Sequence, residues 1–215
     1  MNEKRAAYTQ TRYNLDEKRS LVWKVFVPYL QHKFNIHGHI LDVGCGFGDF
    51  INNVQAKKKS ALDANEEMQQ FLDKDVEFKA GLTSDLTSCF QKNSYDWIFS
   101  SNLLEHLTRD QITDFFNDCK SLLKSQGSLL IFMPNYRYCS REYFDDYTHI
   151  TPLSDRSLSD WLTASGYQVE FVHPKLMPFS VKDSKLPITS WLIKLWLLSP
   201  IKPGGKQLLI RAIKP

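Results

Sequence analysis

The run Ile40-Leu41-Asp42-Val43-Gly44-Cys45-Gly46-Phe47-Gly48-Asp49-Phe50 constrains this chain more than any other segment. An apolar strand ends on an acid, turns through glycines at alternate positions and enters a helix predicted over about 48–57. Glycine has no Cβ and tolerates φ > 0, so such a turn brings bare backbone close to whatever binds there. The unit belongs in an α/β fold only if strands and helices alternate around it, and they do. A helix from Leu15 to about Phe34 precedes the strand at 39–43, with Asn14 as its cap and Leu21, Val22, Val25, Phe26 and Tyr29 on one face. Pro28 is expected to kink or split it. Strand 60–62, helix 65–74, strand 76–80 and the compact strand 95–100 follow. Next come an amphipathic helix 110–124 that Gly127 ends and a strand 128–133 stopped by Pro134. Residues 135–150 read as irregular, the stretch to Ala164 as a helix capped by Thr151 or Ser154, and 167–172 and 206–213 as strands. This repeated alternation predicts a parallel sheet with helices on both faces and ligands at the carboxyl ends of its strands, near the switch in strand order.

Length and charge narrow the rest. The 215 residues suit one α/β domain with a cap, and a net charge of +3 is too small to argue for nucleic acid. Lys57-Lys58-Lys59 reads as a solvated helix end. Cysteines 45, 89, 119 and 139 form no C-x-x-C pair, which predicts free thiols in a reducing cytosol. The polar start MNEKRAAYTQTR carries no secretory signal, and no run of about 18 apolar residues exists, so a cytoplasmic location without a membrane span is expected.

The glycine spacing selects among ligands. The dinucleotide fingerprint G-x-G-x-x-G needs its third glycine at position 49, which is Asp49; the third glycine here is Gly48. An acid at the helix N-terminus also disfavours a pyrophosphate, so Asp42 and Asp49 suit a cationic ligand better. An ordinary glycine-rich turn is the plain alternative. With an acid and G-x-G-x-G at 42–48, and Leu104-Glu105-His106-Leu107 after the fourth strand, the sequence resembles the class I S-adenosylmethionine (SAM)-dependent methyltransferases over roughly residues 36–172. The resemblance implies one domain with a seven-stranded, mostly parallel, Rossmann-like α/β sheet and an antiparallel last strand. Residues 1–35 would form an N-terminal helical arm, and 173–215 an apolar helix and the final strand. It further implies SAM as cofactor, S-adenosylhomocysteine as product, and a cofactor site built on Asp42, Gly44, Cys45, Gly46 and Gly48.

Further candidates fall at strand ends. Asp63, closing the second strand, can accept both ribose hydroxyls of an adenosine, as the family's second motif implies, or cap the following helix; Ala64 lies beside it. Met68 can touch adenine or pack in the core. In Gly81-Leu82-Thr83-Ser84-Asp85-Leu86, Leu82 stands where relatives carry an acid, which leaves adenine to backbone groups around Gly81 and Leu82. Asn102 lies where the methionine part of SAM would sit. Tyr8, Arg12 and Tyr13 belong to an arm that folds over SAM in similar enzymes; a disordered tail is the alternative. Asp146 and His149 at D-x-x-H spacing, with Pro152 completing a pattern seen in relatives, can form a base oriented by its acid. A hydrogen-bonded loop is the plain alternative. His106 is a second base or a structural imidazole. No further His or Cys falls at ligand spacing, so no metal is expected.

These readings converge on in-line methyl transfer from SAM to an oxygen, with a nitrogen as the alternative, of a small-molecule or glycan acceptor. Positioning carries much of the acceleration, and a base is needed only for a poorly acidic alcohol. The aromatic 143–147 loop and the apolar 186–200 stretch favour an acceptor with an apolar part, a lipid-linked saccharide first and a quinone-precursor phenol as rival. A SAM-binding module without catalysis and a nicotinamide oxidoreductase are the readings from other classes. A helix of roughly twelve residues at about 1.5 Å each is too short to cross a bilayer. Trp191 and Trp196 beside Lys194 and Lys202 suit a lid, a homodimer surface or contact with the inner face of a membrane.

Overall fold

The computed structural model describes residues 16–178 and 188–215. Tyr8, Arg12, Tyr13 and Asn14 lie outside the described residues, as do Leu186 and Pro187. Among these residues seven strands are formed: β1 (His39–Val43), β2 (Lys58–Asp63), β3 (Val76–Ala80), β4 (Tyr95–Ser101), β5 (Leu123–Pro134), β6 (Gln168–Pro178) and β7 (Gly205–Ile213). They make a single sheet in the order β3-β2-β1-β4-β5-β7-β6, parallel from β3 to β5, with β7 antiparallel to both β5 and β6. Helices α1 (Glu17–Phe34), α2 (Leu86–Cys89), α3 (Arg109–Leu122), α4 (Tyr136–Cys139), α5 (Asp155–Ala164) and α6 (Ser190–Leu198) accompany it.

The central strands are apolar at nearly every position because both faces are covered, and their side chains sort by the two-residue period of a strand. Leu41, Val43, Ile98, Leu129, Ile131 and Met133 join α3 and α5 in one core, while Ile40, Trp97, Phe99, Leu130 and Phe132 join α1 and α6 in the other. Trp23 of α1 meets Phe99 and Phe132 edge-on, fixing that helix over β4 and β5.

Several local expectations are corrected. Asp16, not Asn14, caps α1, and the helix runs unbroken through Pro28. Pro28 and Lys24, one turn earlier, are both exposed, so the hydrogen bond that proline removes is lost on the solvent side of the helix. The helix expected over 48–57 is a series of turns. Asn53 Nδ2 takes the Asp49 carbonyl (2.9 Å), and Asn52 binds Phe71 O and Asp73 N instead of lying along a helix face. The 65–74 helix is a 3₁₀ segment, Glu66–Phe71. Gly127 does not end α3: the helix stops at Leu122, β5 begins at once, and 124–127 bulge out where pairing with β4 shifts register. Lys58 and Lys59 open β2 rather than ending a helix, and buried Lys59 pairs with Asp75 at 2.9 Å.

Candidate active site

Strand order reverses between β1 and β4, and there the glycine loop lies against the segment after β4: a Cβ on Gly44 would stand 3.3 Å from Leu103. Gly44, Gly46 and Gly48 have φ of 76°, 51° and 75°, a left-handed path that side chains rarely follow. The loop is tied down by Gly44 N–H and buried Cys45 N–H donating to Leu62 O (2.8 and 3.2 Å). Asp63 closes over it from the end of β2, its Oδ2 accepting Gly46 N–H at 2.8 Å and its Oδ1 accepting Asn65 N–H at 2.9 Å. A carboxylate oxygen accepts more than one hydrogen bond, so this anchoring is compatible with ribose binding.

The other two acids are muted. Asp42 is buried, and burial, then the Asp63 and Asp49 charges, push its pKa well above the usual carboxylate range. Arg19 Nε of α1 stands 2.7 Å from Asp49 Oδ2. The preference for a cationic ligand therefore rests on Asp63 rather than on the acids that flank the loop. Ala64 is exposed at the bend after β2, while Met68 is buried. Gly81 N–H donates to Asp63 O and Leu82 N–H to Asp85 Oδ2, so both amides that sequence reasoning offered to adenine are already engaged. Asn102 has φ of 49°, rare for a side-chain-bearing residue, and its Oδ1 lies 3.3 Å from Gln207 Nε2 on β7.

The third group sits at the same carboxyl edge. Ile150 and Thr151 N–H donate to Glu105 O, and Thr151 Oγ1 donates to Leu107 O, latching the 141–151 loop onto the segment after β4. This brings His106 and His149 together, ring centroids 4.8 Å apart. Of the expected Asp146–His149 pair the charge interaction is present, while the hydrogen bonds described for the two run to other groups. Asp146 Oδ1 accepts from Thr148 N and Oγ1 (3.0 and 2.5 Å), whereas His149 Nδ1 lies 2.6 Å from Tyr143 O. The acid reaches His106 through Thr148, whose Oγ1 is 3.0 Å from His106 Nδ1. Thr148 spends its only proton on Asp146, so His106 donates from Nδ1; His149 likewise donates to a carbonyl. Both lone pairs are thus on Nε2. Burial, then the neighbouring His149, lowers the His106 pKa to about 4, which keeps its ring neutral. Glu105 is wholly buried, neither carboxyl oxygen is hydrogen-bonded to another of the described residues, and burial raises its pKa to about 8. Sequence reasoning missed Arg19 and Gln207, which act through contacts with distant residues, and gave no role to Tyr143 O or to the Thr148 hydroxyl within the 141–150 segment. Glu105 stood inside a quoted motif, but its isolation is visible only in three dimensions.

A turn of left-handed glycines with an acid bonded across it is a cradle that added side chains would fill, and it fits a nucleoside that carries no phosphate. Comparisons with known proteins agree. The profile of a methyltransferase domain family matches residues 15–171. The fold is similar to that of a SAM-dependent methyltransferase from Archaeoglobus fulgidus (TM-score 0.67, 20% identity, 98% of this chain and 99% of that one). The sequence is 26% identical over 185 residues to the uncharacterized protein MJ0638 of Methanocaldococcus jannaschii, covering 81% of this chain and 78% of that one. It is 27% identical over 119 residues to a phosphoethanolamine N-methyltransferase of Plasmodium falciparum, covering 55% of this chain and 37% of that enzyme. With seven strands in this order, a glycine cradle at the strand switch and a family match over most of its length, the chain belongs to the class I SAM-dependent methyltransferases.

Proposed function

We propose that this methyltransferase acts on a hydroxyl of an acceptor with an apolar part, a lipid-linked saccharide first. The observation that carries this reading is the rim around His149. Phe144, Tyr147 and Ile150 are 53%, 65% and 53% exposed on the loop that holds the imidazole, an apolar collar beside a proton acceptor. The glycine loop and Asp63 would hold SAM, which supplies an activated methyl group. Asn102 and Gln207 border the place where its methionine end would lie, and Tyr13, outside the described residues, is assigned to the same end. His149 takes the hydroxyl proton at Nε2 while Tyr143 O holds its ring, and His106, steadied by Thr148 and Asp146, is the second acceptor. On α6, Ile193 and Leu197 are buried against the core while Trp191, Leu195 and Leu198 are exposed, as is Ile201 beyond it. That apolar face suits contact with the surface that carries such an acceptor. Among the described residues no helix is long and apolar enough to cross a membrane.

A second reading, transfer to a primary amine, is favoured by the similarity to the Plasmodium N-methyltransferase. Labelled-methyl transfer from SAM to undecaprenyl-linked saccharides, simple phenols and ethanolamine-type amines separates the readings. Label recovered in an alkali-stable sugar ether supports the proposal; label recovered only in the amine overturns it. SAM binding without transfer to any acceptor identifies a module without catalysis.

A further inference from the structure

We propose that Glu105, His106 and His149 form a binding site for one divalent transition cation, of the zinc or manganese class, beside the methyl acceptor. One ligand atom from each residue lies within 4.8 Å of the other two. The chemistry of the set is that of a cation site. Each imidazole gives its Nδ1–H to an oxygen, His149 to Tyr143 O and His106 to Thr148 Oγ1, so each ring keeps its lone pair at Nε2. That second layer of acceptors is the one that orients histidine ligands in metal sites. The third member is a carboxyl that is fully buried with neither oxygen hydrogen-bonded to another of the described residues, an arrangement that a bound cation compensates. Two nitrogens and one carboxylate suit borderline divalent cations, whereas magnesium and calcium prefer all-oxygen shells. Three protein ligands leave a coordination position open.

The site is held by backbone rather than by side-chain chance. Glu105 and His106 sit on the 3₁₀ turn Leu104–His106 after β4, and His149 arrives on the loop that Ile150 N–H and Thr151 N–H fasten to Glu105 O. The same turn follows Leu103, the side chain against Gly44, so the site adjoins the cofactor cradle.

The proposal rests on the methyl-transfer reading for its purpose and changes one step of it. The acceptor hydroxyl becomes a ligand of the cation. Its O–H bond breaks, the electron pair stays on oxygen and the proton leaves to bulk water, so His149 serves as a ligand and not as the base. Carbon–oxygen bond formation and carbon–sulfur cleavage then follow as in the unassisted reaction.

The test uses the full chain. Calorimetric titration with Zn²⁺, and visible absorption with Co²⁺ as a spectroscopic substitute, should show one ion per chain. Glu105→Gln and His149→Asn should each weaken Zn²⁺ binding by about tenfold or more, with circular dichroism confirming the fold. If Glu105→Gln does not fold, His106→Asn and His149→Asn carry the test. Absence of one-per-chain binding, or binding untouched by these substitutions, overturns the site. Methyl transfer that survives exhaustive chelation yet is lost in His149→Ala overturns it in favour of direct proton removal. SAM titrated into the same samples keeps the two readings apart, because loss of SAM binding by the wild type sinks the methyltransferase reading and leaves the cation site standing.

Discussion

Gly48→Ala should destabilise the protein by about 2–5 kcal/mol, and the structure says where that energy comes from. Gly48 has φ of 75°, where an L side chain costs roughly 1–2 kcal/mol. The new methyl would stand 2.6 Å from Asn52 Nδ2 and 2.7 Å from Leu72 Cδ2. Both are side-chain ends that can move, but Asn52 is not at liberty: its Nδ2 donates to Phe71 O (2.8 Å) and its Oδ1 accepts Asp73 N–H (3.0 Å). Displacing it removes two hydrogen bonds worth about 0.5–1.5 kcal/mol each. For a chain of this size the sum lowers the melting temperature by roughly 4–20 °C. Urea unfolding followed by tryptophan fluorescence measures it. The same substitution in an Asn52→Ala background separates the two parts, leaving only the backbone strain of roughly 1–2 kcal/mol. A loss under about 0.5 kcal/mol refutes the strain argument. An equal loss in both backgrounds refutes the route through Asn52.

Asp63→Ala should weaken SAM binding roughly 100-fold by calorimetry, because two hydrogen bonds from ribose hydroxyls to a charged acceptor are worth about 3 kcal/mol together; unchanged affinity rejects the ribose role. His149→Ala should lower turnover about 10²-fold or more while SAM affinity changes little, and a fully active variant removes this imidazole from the mechanism. Burial opposes ionisation of Asp96, but the His39 N–H at 2.7 Å and the Lys124 ammonium at 2.8 Å bring its pKa below the usual value. A lowered folded-state pKa adds stability that is complete above about pH 4 and fades as pH falls through the folded value. Asp96→Asn should therefore lower the urea midpoint at pH 7 and converge with wild type in strong acid; a constant gap between the two at every pH contradicts this linkage.

The chain's own order of residues determined the parallel α/β architecture, the glycine loop at the tip of β1 and the acid at the tip of β2. These features are written in local terms: apolar runs, alternation and the conformations open to glycine. Tertiary structure decided what each charged group does. The carboxylate of Asp49 is spoken for by Arg19, thirty positions away in sequence. Asp146 accepts from Thr148 and acts on His149 through its charge, while Tyr143 O holds the imidazole's Nδ1. Asn52 and Asn53 divert the turn after Gly48 from a regular helix by bonding Phe71 O and Asp49 O. Glu105 shows the division most clearly. Its place after β4 is legible in the run Leu104-Glu105-His106-Leu107, yet only the closed fold reveals that its carboxyl is buried beside two imidazole rings. Local pattern specifies backbone path because neighbouring residues share it; the partners of a buried polar group come from distant elements, and packing alone selects them.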